Sequence, residues 1–237
     1  MPLTPDLRSL REELERLTDN KKASFLQRFF KTGKGEYGEG DIFVGLTVPQ
    51  SRILAVKYKD LSFLEILELL KSKIHEERLI ALLILVHRFE KNPEEQRKIY
   101  NFYLKNTKYV NNWDLVDLSS HHIIGEYLLD KPKDILFELA RSKNFWERRI
   151  SLISTFAFIR DGKLDISLEL AEILVDDKHD LIQKALGWML REIGKKDLET
   201  EETFLKKYYK QMVRTALRYA IEKFPEEKRL KYLRGKI

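Results

Sequence analysis

Apolar side chains recur at three- and four-residue spacing along most of this 237-residue chain, which is the periodicity of amphipathic helices. The pattern predicts helices over residues 7–17, 61–72, 77–91, 94–106, 134–142, 166–177 and 181–194. Proline and glycine predict breaks at Asn92–Pro93, Lys131–Pro132, Asp161–Gly162, Gly194 and Phe224–Pro225. No alternating run is long enough for a substantial sheet, so the predicted fold is all-α.

One amphipathic pattern occurs four times, as ERLIALLIL (77–85), RRISLISTF (148–156), QKALGWMLR (183–191) and VRTALRYAI (213–221). In this register, similar places are held by the basic residues Arg78, Arg149, Lys184 and Arg214. Two-helix repeats of about 30–35 residues are typical of α-solenoids, and HEAT-like repeats are somewhat longer. We therefore predict a single domain over residues 1–237, a HEAT-like α-solenoid of about six antiparallel helix pairs. Its second helices would line a concave face, with these basic side chains pointing into it.

The segment KTGKGEYGEGDIFVGLTVP (31–49) does not fit the helical pattern, and it holds five of the ten glycines. It lacks both the GK[ST] of a Walker loop and the strand that precedes a dinucleotide fingerprint, so a nucleotide-binding loop is disfavoured. We expect an ordered loop or a short hairpin. It would lead into a helix near Pro49, since proline suits a first helical turn.

The net charge of +6 is unevenly distributed. Residues 1–140 carry 22 basic and 22 acidic side chains, whereas residues 141–237 carry 22 basic and 16 acidic ones. Clustered cations favour a polyanionic partner, because they displace counterions from phosphates. A merely solubilising surface is the alternative reading of the same asymmetry.

The composition, 43% apolar and 35% charged, is that of a globular protein. No apolar run approaches the roughly 18 residues of a membrane span, and the first residues lack the apolar core of a signal peptide. We therefore expect a cytoplasmic protein that does not associate with membranes. The absence of cysteine excludes disulfides, thiolate metal sites and cysteine nucleophiles.

Metal and serine chemistry have little support in the sequence. None of the five histidines belongs to an HExxH pattern, and no GxSxG serine is present. The adjacent His121 and His122 are expected to face different directions on a helix, which makes them poor partners on one metal ion. We predict neither a metal nor a cofactor.

Aromatic and charged side chains remain as candidates. Burial in the core is the default expectation for each tryptophan, Trp146 included. However, Trp113 and Asp117 are four residues apart and would share one helix face, as would Lys184 and Trp188. Indoles, a carboxylate and cations together are able to contact sugar, base and phosphate.

Four segments resemble motifs of the AlkD-like DNA alkylation repair family, which are HEAT-like-repeat DNA glycosylases: VNNWDLVD (110–117), NFWERRISL (144–152), LIQKALGWMLREIGK (181–195) and GLTVPQSR (45–52). The resemblance implies that Asp117 is the catalytic carboxylate and that Trp113 and Trp188 contact the sugar. Its W-x-x-R register assigns the cleft arginine to Arg149. It further implies contacts with double-stranded DNA, which we extend to Thr47, Val48, Arg148, Lys184, Arg191, Lys195, Lys196 and Arg214.

The activity implied by the resemblance is hydrolysis of the N-glycosidic bond of cationic N3- or N7-alkylated purines in duplex DNA. No obligate protein partner is evident. Two departures favour a non-catalytic protein that binds branched or distorted DNA. KTGKGEYGEGD stands where the best-known enzymes have a shorter connection, and Phe29 stands where they have an aromatic hydroxyl. A protein–protein scaffold is a third reading, which the basic excess after residue 140 disfavours.

Overall fold

The computed structural model describes residues 6–237, which form two compact units, one ending at Ser119 and the other running from Ser120 to Ile237. The first unit contains the helices α1 (Leu7–Arg16), α2 (Asn20–Phe29), α3 (Val48–Lys57), α4 (Phe63–Leu70), α5 (His75–Lys91), α6 (Gln96–Lys105) and α7 (Trp113–Asp117). The second contains α8 (Glu126–Leu128), α9 (Asp134–Ala140), α10 (Phe145–Arg160), α11 (Asp165–Leu174), α12 (Asp180–Lys196), α13 (Leu198–Tyr208), α14 (Arg214–Ala220) and α15 (Glu226–Leu233). The single domain expected from the sequence stays a prediction.

The prediction of an all-α fold is confirmed. Among residues 6–237 the β contact is one isolated parallel bridge between Ile42 and Ile74. Short 3-10 turns occupy 93–95, 107–109 and 221–223, and residues 121–125 form a π-helical turn. None of the helices so described is both long and apolar enough to cross a bilayer.

The centre of the first unit is α5. Its apolar residues are buried on nearly every side, from Leu79 to Val86 without interruption, which is typical of a helix surrounded by others. Helices α3 and α4 pack against it, and α6 follows it. In the second unit α9 pairs with α10 and α11 with α12, while α13 and α14 also pack on α12.

Two glycines allow close helix packing in the second unit. A Cβ built on Gly187 of α12 would overlap the carbonyl oxygen of Ala216 on α14. A Cβ on Gly125 would likewise overlap the carbonyl oxygen of Ser154 on α10. Any larger residue at either place would force these backbones apart, because packed interiors have no spare volume.

Most predicted helix limits are confirmed, including the helix that starts beside Pro49 and the breaks at 92–93, 131–132, 161–162 and 224–225. The break predicted at Gly194 is wrong, because α12 continues to Lys196. Gly194 serves packing instead: a Cβ there would overlap the carboxylate of Glu201 on α13. The segment 31–47 is an ordered, turn-rich loop, one of the two predicted forms, and it contains no hairpin.

The register predicted for the repeats is also wrong by one position. Arg78 Nη1 donates to the carbonyl of Ser72 at 2.9 Å, and Arg148 Nη1 donates to that of Ser142 at 2.9 Å. Gln183 Nε2 donates to the carbonyl of Asp177 at 2.6 Å, again six residues back. Positions 78, 148 and 183 are therefore equivalent, because each side chain satisfies a carbonyl left at the end of the preceding helix.

Candidate functional site

Trp113 and Asp117 lie at the two ends of α7, a helix of five residues. The N-cap is Asn112, whose Oδ1 accepts the Trp113 N–H at 2.8 Å. The residues on either side of Asp117 in the sequence make helical hydrogen bonds. Val116 N–H donates to the carbonyl of Asn112 at 3.2 Å, and Leu118 N–H donates to the carbonyl of Asp114 at 3.0 Å. Both Trp113 and Asp117 are half-buried. Part of each side chain is therefore open to an incoming molecule.

The indole of Trp113 is held by two phenylalanines. Phe30 stacks on it with ring centroids 4.9 Å and planes 5° apart, and Phe29 meets it edge-on at 6.1 Å. Phe30 is buried, whereas Phe29 is 53% exposed and stacks in turn on exposed Phe25. Contacts on two sides restrict the rotamers of Trp113, so its exposed part has a defined orientation.

Behind Trp113 lies a buried polar group, here called the His75 cluster, that comprises Asp41, His75, Arg78, Asn112 and Asp114. The two ring nitrogens of His75 lie 3.2 Å from Asp41 Oδ2 and 2.8 Å from Asp114 Oδ2. Asp41 Oδ2 also receives Arg78 Nη2 at 2.7 Å and Asn112 Nδ2 at 3.0 Å. Each member is at most 6% exposed.

The cluster holds His75 in its protonated form. Burial by itself lowers the pKa of His75, but the charge of Asp114 and hydrogen bonds to Asp114 and Asp41 outweigh it and raise the pKa to about 9. The pKa of Asp41 is lowered: burial opposes this, and the hydrogen bond from His75 and the charge of Arg78 prevail. Two cations thus face two carboxylates, so the charges within the cluster balance.

A further buried carboxylate, Glu76, follows His75 but lies outside the cluster. Its Oε1 accepts the backbone N–H groups of Val44, Gly45 and Leu46 at 3.1, 2.8 and 3.2 Å. Gly45 has a φ of +91°, and a Cβ there would overlap the carbonyl oxygen of Asp19, so both conformation and space require glycine. The first turn of α5 therefore fixes the loop that precedes α3.

Asp117 lies near a buried phenol. Tyr103 Oη is 2.9 Å from Ser119 Oγ, and Ser119 Oγ donates to the carbonyl of Leu115 at 2.5 Å. Burial raises the pKa of Tyr103, and the negative charge of Asp117 raises it further despite the bond to Ser119. Tyr103 therefore stays protonated and fills the interior behind α7.

Thr47 and Val48 stand at the start of α3. Thr47 is the exposed N-cap, and its N–H and hydroxyl both donate to Gln50 Oε1, at 2.9 and 2.7 Å. Both residues line a mostly apolar cavity of about 350 Å³, whose other lining residues include Phe25, Phe43, His75 and Asp114. The cavity is lined by residues of α2, of the loop before α3 and of the His75 cluster.

In the second unit the two remaining tryptophans differ. Trp146 is buried, 6% exposed, and packs on Phe145 with centroids 4.3 Å apart, as expected for a core indole. Trp188 is half-buried on α12, and its Nε1–H donates to Glu192 Oε1 at 3.1 Å. Its ring lies 6.0 Å from that of Phe156 on α10. Trp188 therefore keeps an open face and Trp146 does not.

The arginines that begin the helices were expected to present their side chains on an open concave face, but Arg78 and Arg149 are buried. Arg149 is 5% exposed and donates to the carbonyl of Leu181 near the start of α12. Arg148 pairs with Asp177 through a 2.7 Å contact of Nε with Oδ2, and Arg78 is 4% exposed in the His75 cluster. Arg78 and Arg148 are held by carbonyls left at the ends of the preceding helices and by carboxylates, whereas Arg149 is held by a carbonyl in the first turn of α12.

The other predicted cations of the second unit are more accessible. Lys184 pairs with Asp180 and Lys195 with Glu192, both at 2.7 Å, and Lys196 Nζ donates to the carbonyl of Arg160 at 3.3 Å. The side chains of Lys184 and Lys195 are 40% and 48% exposed. Exposed Arg214 donates to the carbonyl of Leu233 at 2.5 Å. Arg191 is mostly covered and pairs with Glu222.

His121 and His122 were expected to point apart, and that expectation is wrong. Their ring centroids are 4.0 Å apart, because residues 121–125 form a wider π-helical turn. Burial lowers the pKa of His121 to about 3, with further lowering by the charges of His122 and Arg160. In the part of the chain described here, no three His, Asp or Glu side chains are arranged to hold a metal ion.

The His75 cluster is the feature that sequence reasoning missed. Its available signal was HEER (75–78), four polar residues directly before the uninterrupted apolar run from Leu79 to Val86. In a helix that is buried on all sides, four such residues would be costly unless their polar groups had hydrogen-bonding or charged partners. The partners, Asp41, Asn112 and Asp114, are more than thirty residues away, so the sequence pattern could not name them.

Residues 10–224 match the model of a protein family described as DNA alkylation repair enzyme. The chain is also similar to a solved structure described as a predicted DNA alkylation repair enzyme from Enterococcus faecalis, with a TM-score of 0.68 and 16% sequence identity. That likeness covers 88% of this chain and 97% of the other, and at this identity it shows a shared fold. No curated protein matches the chain significantly.

Proposed function

Since the chain belongs to the DNA alkylation repair enzyme family, we propose that it is a DNA glycosylase that removes cationic N3- or N7-alkylated purines from duplex DNA. The observation that carries the proposal is the pairing on α7 of a half-buried indole with a half-buried carboxylate one turn away. Packing in a helical core does not require this pair, whereas both groups would stabilise a sugar that develops positive charge.

The reaction is hydrolysis of the bond between deoxyribose C1′ and the purine nitrogen. An alkylated purine already carries positive charge, so as the bond breaks the electron pair returns to the base and the charge moves to the sugar. Water then forms the new bond to C1′ and loses a proton, and the base leaves uncharged. The transition state resembles the oxocarbenium ion of glycoside hydrolysis.

Asp117 would stabilise this cationic sugar and orient the attacking water. At a separation of about 4 Å and an effective dielectric constant near 20, one carboxylate contributes roughly 4 kcal/mol. That is a ceiling of about a thousandfold in rate. Trp113 would place its π face against the sugar, where the quadrupole of the indole adds cation–π stabilisation. Trp188 and Arg149 carry the roles that the family resemblance assigns, a second sugar contact and a phosphate contact.

The cations Lys184, Lys195, Lys196 and Arg214 support DNA as the partner, because all four belong to the second unit, where the basic excess is found. Such residues give affinity that is independent of sequence and sensitive to salt. Thr47 and Val48 would meet DNA at the start of α3, and Arg148 and Arg191 would add to the positive potential of the second unit. The proposed reaction uses neither a metal nor a cofactor.

One observation favours a second candidate, a non-catalytic protein that binds distorted DNA. Arg149 is buried, so little of its guanidinium is open to a phosphate next to the lesion. A binder would keep its exposed lysines and would not need Asp117. Both candidates predict DNA affinity, and they differ in whether a base is released.

The test is release of free base from duplex DNA that contains 7-methylguanine, with the wild-type protein and with Asp117→Asn. The proposal expects release by the wild type and loss of release in the variant, with nearly equal DNA affinity for both. Asp60→Asn, at an exposed carboxylate of the first unit, is the matched control and should release base like the wild type. DNA binding without release by the wild type would favour the binder.

A further inference from the structure

Trp113 stands between two residues that are both anchored to the His75 cluster. Its predecessor Asn112 donates to Asp41, and its successor Asp114 lies 2.8 Å from His75 Nε2. Asn112 is fully buried and Asp114 is 5% exposed, so neither has water as an alternative partner. The backbone on both sides of the indole is therefore fixed by buried polar contacts.

The cluster draws its members from three separate parts of the chain. Asp41 comes from the glycine-rich segment, His75 and Arg78 from the first turn of α5, and the other two members from the start of α7. The segment is itself tied to α5, because His75 N–H donates to the carbonyl of Ile42 at 2.8 Å and Ile42 N–H to that of Lys73 at 3.0 Å. A shift of any one part breaks contacts with the other two.

The ring of His75 connects two of these parts. Its two nitrogens face carboxylates on different elements, Asp41 in the segment and Asp114 on α7, so both bonds exist only while the ring carries both protons. The other groups against it are Arg78 on its own helix and the aromatic rings of Phe30 and Phe43, at centroid distances of 5.1 and 4.3 Å. Phe30 is also the ring that stacks on Trp113.

We propose that the His75 cluster positions α7, and thereby holds Trp113 and Asp117 in the orientation that base excision requires. Its catalytic consequence rests on the proposed function. Asp41, His75, Asn112 and Asp114 are positioning residues, since none of them needs to touch DNA. The glycine-rich segment (31–49) belongs to the site because it supplies Asp41, which contacts both His75 and Asn112.

Two substitutions of Asn112 separate this role from simple helix capping. Serine and aspartate are both good N-caps, so Asn112→Ser and Asn112→Asp each keep an oxygen for the first turn of α7. Serine removes the hydrogen bond to Asp41, whereas aspartate sets a second carboxylate against it. We expect the single-turnover excision rate to fall about tenfold in Asn112→Ser and about a hundredfold in Asn112→Asp, because small displacements of catalytic groups cost rates of this size.

The same measurements include affinity and a stability control. DNA affinity should change little in either variant, since the substituted atoms are buried and the exposed cations are untouched. Leu69→Ala, in the fully buried core of α4, is expected to destabilise the same unit at a residue outside the cluster. At a temperature where all these proteins are folded, Leu69→Ala should excise at the wild-type rate. An equal loss in Leu69→Ala and Asn112→Asp would overturn the inference.

A fluorescence measurement tests positioning without relying on catalysis. In a Trp146→Phe/Trp188→Phe background, Trp113 is the sole remaining tryptophan of the three. Asn112→Asp should increase acrylamide quenching of Trp113, whereas Leu69→Ala should leave it unchanged. If the wild type releases no base, the proposed function fails and this quenching result still decides the inference. Unchanged quenching in both Asn112 variants would overturn it, whatever the excision rates.

Discussion

The ring of Phe30 lies parallel to the indole of Trp113, with centroids 4.9 Å and planes 5° apart. Phe30 also stacks on Phe43 at 4.7 Å, and Phe43 lies over His75 at 4.3 Å. An unbroken series of rings thus joins the half-exposed indole to the buried charges of the first unit. The aromatic and the polar contacts of α7 support the same geometry from different sides.

Replacing Phe30 by leucine should remove one stacking contact on each side of that ring. The expected loss in the free energy of unfolding is about 1–3 kcal/mol, the sum of lost packing and lost ring–ring attraction. Urea denaturation followed by far-UV circular dichroism would measure it. Phe224→Leu removes a buried ring from the second unit and is the control for ring volume. Acrylamide quenching of Trp113 provides a second readout. An increase in quenching in the Phe30 variant, with none in the Phe224 variant, would show that the stack holds the indole.

His75 should make stability depend on pH on the alkaline side. Its pKa is raised from 6.5 to about 9 in the folded protein, so its stabilising contribution is fully present below pH 6.5 and is lost as the pH rises through 9. The size is roughly 3 kcal/mol between these limits. The free energies of unfolding of the wild type and His75→Gln, measured at intervals from pH 6 to 10, should converge over this range. A constant difference across the range would contradict the prediction.

Glu201 should have a comparable effect at lower pH. Burial raises the pKa of this carboxyl from 4.5 to about 8, and the charge of Glu202 adds to the rise. The folded protein therefore keeps a proton that the unfolded chain loses, so stability falls as the pH rises from 4.5 to 8, by at most about 5 kcal/mol. Glu201→Gln keeps the shape of the side chain and removes the titration.

The measurement for Glu201 is the difference in unfolding free energy between wild type and Glu201→Gln at pH 5 and pH 8. The unfolding free energy of the variant, relative to that of the wild type, should increase from pH 5 to pH 8. Glu199→Gln, at an exposed carboxyl two residues earlier, should show no such gain. A parallel gain in both variants would mean that general surface charge, and not the buried carboxyl beside Gly194, governs the dependence.

The exposed cations of the second unit should determine the salt dependence of DNA binding. The logarithm of the DNA association constant falls linearly with the logarithm of the salt concentration. Each phosphate contact that is lost makes this slope less steep by about 0.9. Changing Lys184, Lys195, Lys196 and Arg214 together to glutamine should therefore reduce the slope by up to about 3.6. The control changes four exposed lysines of the first unit, Lys59, Lys71, Lys91 and Lys105, and should leave the slope nearly unchanged. An equal reduction of the slope in both quadruple variants would contradict the assignment of DNA binding to the second unit.

Helical periodicity was sufficient to predict the fold class and most helix limits, because an apolar stripe at 3.6-residue spacing must be buried wherever the helix lies. It could not distinguish a glycine that ends a helix from one that lets another side chain pack closely against the helix. Gly194 is of the second kind, because Glu201 packs against it. The one-residue error in the repeat register has a similar origin. Arg148 and Arg149 are both basic, and only contacts with helix-end carbonyls distinguish their places.

For the candidate site, the sequence pointed to Trp113 and Asp117 through their spacing, and the structure puts both, half-buried, on one short helix. The support of that helix was beyond sequence reasoning. Asp41 and His75 are 34 residues apart, and Asp114 is a further 39 residues along, with no local pattern to join them. A buried histidine between two carboxylates is a tertiary property, since it depends on which loop covers which helix.

The three amides that bind Glu76 have a consequence for local motion. Val44, Gly45 and Leu46 lie in a loop without regular secondary structure, where backbone amides ordinarily exchange their hydrogens with solvent quickly. Here all three donate to one carboxylate that is 1% exposed, and opening the loop would leave that charge buried without these partners. The loop and the first turn of α5 should therefore open only together. Hydrogen exchange at Gly45 should be as slow as in the middle of a helix.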